Sequence, residues 1–240
     1  MNGDVKVVCV DAGNVAQHGF FCYKSKKKSE GYRRKLHWLE QRFSEGMKIR
    51  IVYESGRSVG FIEYIPGDFC WRAVHAHDYM VIHCLWVVGR AKGKGYGSRL
   101  LGKCVDDARK MHMHGVAMVT SSKTWLAGSK LLLKNGFERV DQAPPVFELL
   151  VKRFDHAPAP RFPKDWDERL GRYGAGLTVI RSDQCPYIKV AADAVLETAR
   201  EMGADAQVVE LNTCEEVQDG APSAYGVFHI VHNGQLLTYH

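Results

Sequence analysis

The feature that most restricts how this chain can fold is the run Leu85-Trp-Val-Val-Gly-Arg-Ala-Lys-Gly-Lys-Gly-Tyr-Gly-Ser-Arg-Leu-Leu101. An apolar stretch enters a turn with glycine at 93, 95 and 97, and an amphipathic stretch follows at once. This is a strand passing through a glycine-rich turn into a helix. The first amides of a helix have no partner within it, and the helix dipole adds partial positive charge at that end. Such a junction binds phosphate oxygens. Gly93, Gly95 and Gly97 let the backbone approach an anion closely because no Cβ intervenes, and Lys92 and Lys94 add charge. The spacing is not Gly-x-x-x-x-Gly-Lys-Ser/Thr, which excludes a Walker A loop. Gly-x-Gly-x-x-Gly is not in register either, which argues against a Rossmann site.

Periodicity organises the rest. Residues 5–10 read as a strand, and 31–45 as a helix with Leu36, Leu39 and Phe43 on one face. Residues 48–53 and 59–65 form a hairpin that Pro66-Gly67 stops. Residues 79–88 form a buried strand, 98–111 a helix, 116–120 a strand, 127–135 a helix and 146–152 a last strand. The order β, α, β, β, β, α, β, α, β predicts a mixed α/β sheet. Asp155-His-Ala-Pro-Ala-Pro-Arg-Phe-Pro163 concentrates prolines as linkers do. The expected division is a domain over 1–155, a linker over 156–176 and a small unit over 177–240.

Composition bounds the function. Among 240 residues, 45% are apolar and 25% charged, which excludes wholesale disorder and leaves a core that needs neither metal nor disulfide. Seven cysteines, at 9, 22, 70, 84, 104, 185 and 214, contain no CxxC pair. No metal site follows, and a reducing, cytoplasmic setting fits. The N-terminus lacks a signal-peptide profile. The apolar run at 81–88 is far shorter than the ~20 residues of a membrane span. A net charge of +6 is densest at Lys24-Ser-Lys-Lys-Lys28, followed by Arg33, Arg34 and Lys35. Such a run reads as a solvated face, and no nucleic-acid partner is expected.

With these residues in view, the chain resembles the GNAT superfamily of N-acetyltransferases. Its motif A, Gln/Arg-x-x-Gly-x-Gly/Ala between the fourth strand and a helix, is matched by Lys92-Gly-Lys-Gly-Tyr-Gly97 with Lys in the first place. A second frame, Arg90-Ala-Lys-Gly-Lys-Gly95, matches literally. Lys134-Asn-Gly-Phe137 resembles the later Lys-x-Gly-Phe of the family. The resemblance implies acetyl-coenzyme A as co-substrate. Its pyrophosphate would be held by amides of Lys92, Gly93, Lys94, Gly95, Tyr96 and Gly97, and its pantetheine arm would pair with Leu85, Trp86 and Val87. The acceptor would be a small-molecule or peptide amine, and a homodimer is allowed. Many members carry a tyrosine, as general acid, five residues before that Phe, where this chain has Leu132.

Direct transfer needs an acceptor for the amine proton and donors for the oxyanion; the Val87 amide is the expected donor. Val81 stands where the family often has glutamate. His83, two residues closer to the thioester, has a suitable intrinsic pKa, and Glu63 is an unexpected acid among apolar neighbours. Trp71, Arg72, His75 and His77 precede the fourth strand and are candidates for acceptor binding. Alternation along that strand puts Cys84 opposite His83.

In the last unit, a strand at 177–181 leads to Cys185-Pro-Tyr-Ile188 and a helix with the stripe Ile188, Ala192, Val195, Ala199 and Met202. Strands follow at 207–211, 226–231 and 235–239. This β, α, β, β, β order resembles a trimmed thioredoxin or glutaredoxin fold, and Cys185-Pro-Tyr-Ile188 resembles Cys-Pro-Tyr-Cys with its second cysteine replaced. A cysteine at a helix N-terminus has a stabilised thiolate, so Cys185 is the redox candidate. A GNAT domain followed by such a unit resembles the YoaP-type acetyltransferases. Two other readings stay open: a coenzyme A sensor without turnover, and a thiol-redox module using Cys185.

Overall fold

A computed structural model describes residues 4–239. Strands β1 (Val5–Val10), β2 (Lys48–Glu54), β3 (Arg57–Pro66), β4 (Tyr79–Val87), β5 (Gly115–Thr120), β6 (Glu138–Ala143) and β7 (Phe147–Arg153) form one sheet. Their order is β1-β2-β3-β4-β5-β7-β6. β4 and β5 are parallel, and the other neighbours are antiparallel. A parallel pair needs a crossover, and helix α3 (Tyr96–Lys110) supplies it. Its Leu100, Leu101, Cys104 and Ala108 pack with Ile62, Met80, Ile82 and Met118 on one face of the sheet. The opposite face receives α2 (Glu30–Ser44), whose cap, Ser29, accepts from the Tyr32 amide at 3.3 Å.

Two elements of this region, α1 and β6, escaped the periodicity, and a third differs in length. Helix α1 (Val15–His18) has four residues. Helix α4 (Ser129–Lys134) is shorter than expected. Strand β6 is absent from the sequence reading because Glu-Arg-Val-Asp-Gln-Ala is mostly polar. It lies at the sheet edge and is defined by its pairing with β7.

The C-terminal unit has a sheet of β8 (Leu177–Arg181), β9 (Ala206–Glu210), β10 (Phe228–His232) and β11 (Gln235–Thr238), ordered β11-β10-β8-β9. β8 and β9 are parallel; β10 runs antiparallel to both β8 and β11. Helix α6 (Ile188–Glu201) connects β8 to β9. A further helix, α7 (Cys214–Gly220), makes the order β, α, β, α, β, β and corrects the expected β, α, β, β, β. Its signal was a capping box, Thr213 with Glu216, before a polar stretch whose buried residues are Cys214 and Val217.

Residues 156–176 do not run as a free spacer. They contain helix α5 (Trp166–Gly171) and the fully buried Phe162. The Phe162 amide donates to the Asp141 carboxylate at 2.9 Å, and Arg169, 3% exposed, donates to the Gln218 carbonyl at 2.6 Å. One apolar core runs from Leu39 and Val81 through Phe162 to Val179 and Val217. Among the described residues, no helix is long and apolar enough to cross a membrane.

Candidate active site

β4 parts from β5 halfway along. Its pairing with β5 ends at Ile82–Met118, while pairing with β3 continues to Val87. From 83 to 87, therefore, one edge of β4 faces no strand among the described residues. The Val88 amide donates to the Val59 carbonyl on β3 at 2.9 Å. Amides alternate sides along a strand, so those of Leu85 and Val87 turn to the open edge.

The chain then bends through residues 89–91 into the glycine turn. Gly93 and Gly95 have φ of +81° and +80°, left-handed values that glycine adopts without strain. Helix α3 follows, and its first backbone bond runs from the Arg99 amide to the Gly95 carbonyl at 3.0 Å. Among the described residues, the amides of 93–98 have no backbone acceptor. Lys94 is not the free cation the sequence suggested. Its ammonium bonds Glu54 at 2.8 Å, and Tyr96 donates to the same carboxylate at 2.6 Å, tying the loop to the end of β2. The Lys92 ammonium lies 5.3 Å from the centre of the exposed Trp86 ring. A Cβ on Gly97 would come within 2.7 Å of Leu131, so α3 and α4 touch there.

At the other end of the open edge is a bulge. The β3–β4 register passes from Glu63–Cys84 to Tyr64–Ile82 and leaves His83 as an extra residue. A bulge breaks strict alternation. His83 packs on Trp38, ring centres 6.2 Å apart, and Cys84 packs against the same core cluster. The expectation that these two residues take opposite faces is thereby corrected.

His83 is fully buried. Its Nε2 accepts from the Trp71 amide at 2.9 Å, and its Nδ1 lies 3.5 Å from Glu63 Oε1, an electrostatic contact rather than a full hydrogen bond. Burial pushes its pKa down to about 4, so the ring is neutral. The nitrogen that would collect a proton is already occupied. Glu63, 4% exposed, has both oxygens bonded by the Lys35 ammonium, at 3.0 and 2.8 Å. Burial pushes its pKa up, but Lys35 and His83 hold it down, to about 2. Lys35, itself 3% exposed, also stands 4.1 Å from the Trp38 ring centre.

Trp71 and Arg72 are not solvent-facing loop residues. Trp71, 1% exposed, meets Trp38 edge to face at 5.1 Å, and Arg72, 3% exposed, spends its donors inside the protein. Cys185 departs from expectation too. It lies three residues before the first residue of α6, among Lys35, Glu63 and Arg72. Burial raises its pKa, so no stabilised thiolate results. The half-buried thiols of Cys22 and Cys84 are its neighbours, and burial pushes that of Cys84 up to about 12. Cys214 sits elsewhere, with its sulfur 3.8 Å from the Asp68 carbonyl. Leu132 is fully buried beneath α3.

Sequence reasoning missed Lys35, Cys22 and Gln184. For Lys35 a signal existed, since an acid inside an apolar strand requires a partner. The nearby cation was hidden by a basic run that reads as solvated.

A family model described as acetyltransferase (GNAT) matches residues 14–137. The chain is 30% identical over 230 residues to the uncharacterized N-acetyltransferase YoaP of Bacillus subtilis (strain 168), spanning 94% of this chain and 90% of that protein. It is 32% identical over 113 residues to the L-methionine sulfoximine/L-methionine sulfone acetyltransferase of Salmonella typhimurium, 47% of this chain and 63% of that one. Among solved structures, the PaiA N-acetyltransferase of Thermoplasma acidophilum in complex with coenzyme A aligns over 63% of this chain and 99% of its own, at 13% identity and a TM-score of 0.45. By the extent of the family match and of the YoaP alignment, this chain belongs to the GNAT family of acetyltransferases.

Proposed function

We propose that residues 92–97 bind the pyrophosphate of acetyl-coenzyme A, that its thioester arm lies along Leu85, Trp86 and Val87, and that the acetyl group passes to an amine beside Glu63. One observation carries this reading: the run of unbonded amides at the start of α3 opens onto the free edge of β4, which leads to the bulge at His83. Acetyl-coenzyme A supplies the activated acetyl group. The neutral amine attacks the thioester carbon, a C–N bond forms, and the Val87 amide donates to the oxyanion. The C–S bond then breaks and the thiolate takes its proton from water, since Leu132 offers none. Glu63, ionised by its contact with Lys35, orients the amine and relays its proton to solvent rather than storing it. His83 holds the bulge in place as a neutral ring.

The acceptor is an amine. The Salmonella relative, by its name, acts on methionine sulfoximine and methionine sulfone, which makes the α-amino group of a small amino acid our first choice. The order β9-β8-β10-β11 supports reading the C-terminal unit as thioredoxin-like. The free cysteines support a cytoplasmic location.

Calorimetry with acetyl-coenzyme A tests the cofactor site. The wild type binds, and Gly95→Trp, which puts a bulky side chain into the anion cradle, loses at least about 100-fold, ~2.7 kcal/mol. No heat with the wild type would overturn the proposal. Binding without thiol release across a panel of amino acids would favour a sensor.

A further inference from the structure

Arg72 connects the two halves of the molecule. Its Nη1 donates to Gln184 Oε1 at 2.5 Å, to the Tyr225 carbonyl at 3.0 Å and to the Trp71 carbonyl at 3.0 Å. Its Nη2 donates to the carbonyl of His83, the bulge residue, at 2.6 Å. All four acceptors are neutral oxygens, and two belong to the C-terminal unit. Guanidinium presents its donors in a rigid planar fork, which the single ammonium of lysine cannot reproduce.

Two glycines show that the contact is built at main-chain distance. A Cβ on Gly226, whose φ is +72°, would lie 3.2 Å from the Trp71 carbonyl oxygen and 3.2 Å from Arg72 Cα. A Cβ on Gly31, in α2, would lie 2.2 Å from the Pro186 carbonyl oxygen. Each half therefore lacks a side chain where the backbone of the other passes. Arg34 adds an ion pair with Asp183 at 2.8 Å, and the Gln218 amide donates to the Cys70 carbonyl at 3.0 Å. The turn that this docking fixes holds Cys185, whose neighbours are Lys35 and Glu63.

We propose that Arg72 is a positioning residue that latches the C-terminal unit onto the β4 bulge, so that the turn at Gln184 and Cys185 forms the wall of the amine site facing Glu63. The small unit is thus a structural part of the acyltransferase rather than a separate thiol module. The inference rests on the transfer site proposed above.

The test uses the full chain with Gln184→Leu, Arg72→Gln and Arg72→Lys. Three quantities are read: acetyl-coenzyme A affinity by calorimetry, kcat/KM with an amino acid that the wild type acetylates, and iodoacetamide labelling of each cysteine by mass spectrometry. Cys104, fully buried on the sheet-facing side of α3, reports on global unfolding. None of the Arg72 contacts involves the cradle at 92–97, so acetyl-coenzyme A affinity stays within about twofold in Gln184→Leu. Loss of a buried bond partner lowers kcat/KM about tenfold or more. Local opening raises labelling of Cys84 and Cys185 about tenfold while Cys104 stays protected. Arg72→Lys recovers part of the loss that Arg72→Gln shows. Unchanged turnover and labelling in Gln184→Leu would overturn the latch. If Arg72→Gln exposes Cys104 as well, the milder Gln184→Leu decides between latch and no latch. Should the wild type fail to bind acetyl-coenzyme A or to acetylate any amino acid, the transfer site is wrong, while labelling in Gln184→Leu still decides whether the halves are latched.

Discussion

Glu63 combines near-complete burial with ionisation, and Lys35 makes that combination stable by bonding both carboxylate oxygens. With Glu63 held well below the usual carboxylate range and His83 neutral, neither group changes its resting charge near neutral pH. The rise of kcat/KM with pH then follows the pKa of the acceptor amine. In Glu63→Gln the shape is kept but the anion is lost. Steady-state kinetics should show kcat/KM reduced by about 10²-fold or more, the usual scale for losing a group that handles a proton, with acetyl-coenzyme A affinity little changed. Equal activity in the variant would remove Glu63 from the mechanism. His83 shows how far residue type leads: its intrinsic pKa recommended it as a base, yet the Trp71 amide occupies Nε2. A hydrogen bond between residues 12 positions apart leaves no trace in local pattern.

Elements acquire their roles through pairing. The α3 loop was legible because a strand, spaced glycines and an amphipathic helix are contiguous. The β4 bulge was not, since it exists only as a mismatch of register with β3. The link between α2 and β3 offers a separable measurement. Lys35→Met leaves a buried carboxylate unpaired and should cost about 3–5 kcal/mol in urea unfolding, whereas Lys35→Met combined with Glu63→Leu recovers most of that stability, because a well-packed apolar pair replaces a buried ion pair at little net cost. The double variant stays inactive if Glu63 acts in transfer. Additive losses would mean that the pair is not coupled.

Across the whole molecule, buried neutral histidines set the response to acid. Burial lowers His83 to about 4 and His229 to about 3, against about 6.5 in an unfolded chain. Between those values the unfolded state binds more protons, so stability falls as pH drops from about 6.5 towards 4. Glu63, depressed to about 2, adds loss of the same sign below its unfolded value, about 4.3. Urea midpoints measured from pH 7 down to pH 4.5 should therefore decline, and His229→Gln should flatten the slope. A pH-independent midpoint would contradict the assignment of these buried rings as neutral. The shared core has a consequence at the same scale: with Phe162 and α5 packed between the sheets, the halves are expected to unfold in one transition.

From sequence alone came the mixed α/β sheet, the glycine-rich turn, the helix that follows it and the family, because short-range periodicity and contiguous spacing encode them. The tertiary structure decided which way His83 and Cys84 face, which cation neutralises Glu63, and that Arg72 is a buried connector instead of a surface contact. Those outcomes depend on strand register and on backbones approaching from distant parts of the chain, and burial sets the charge states only after that approach is made.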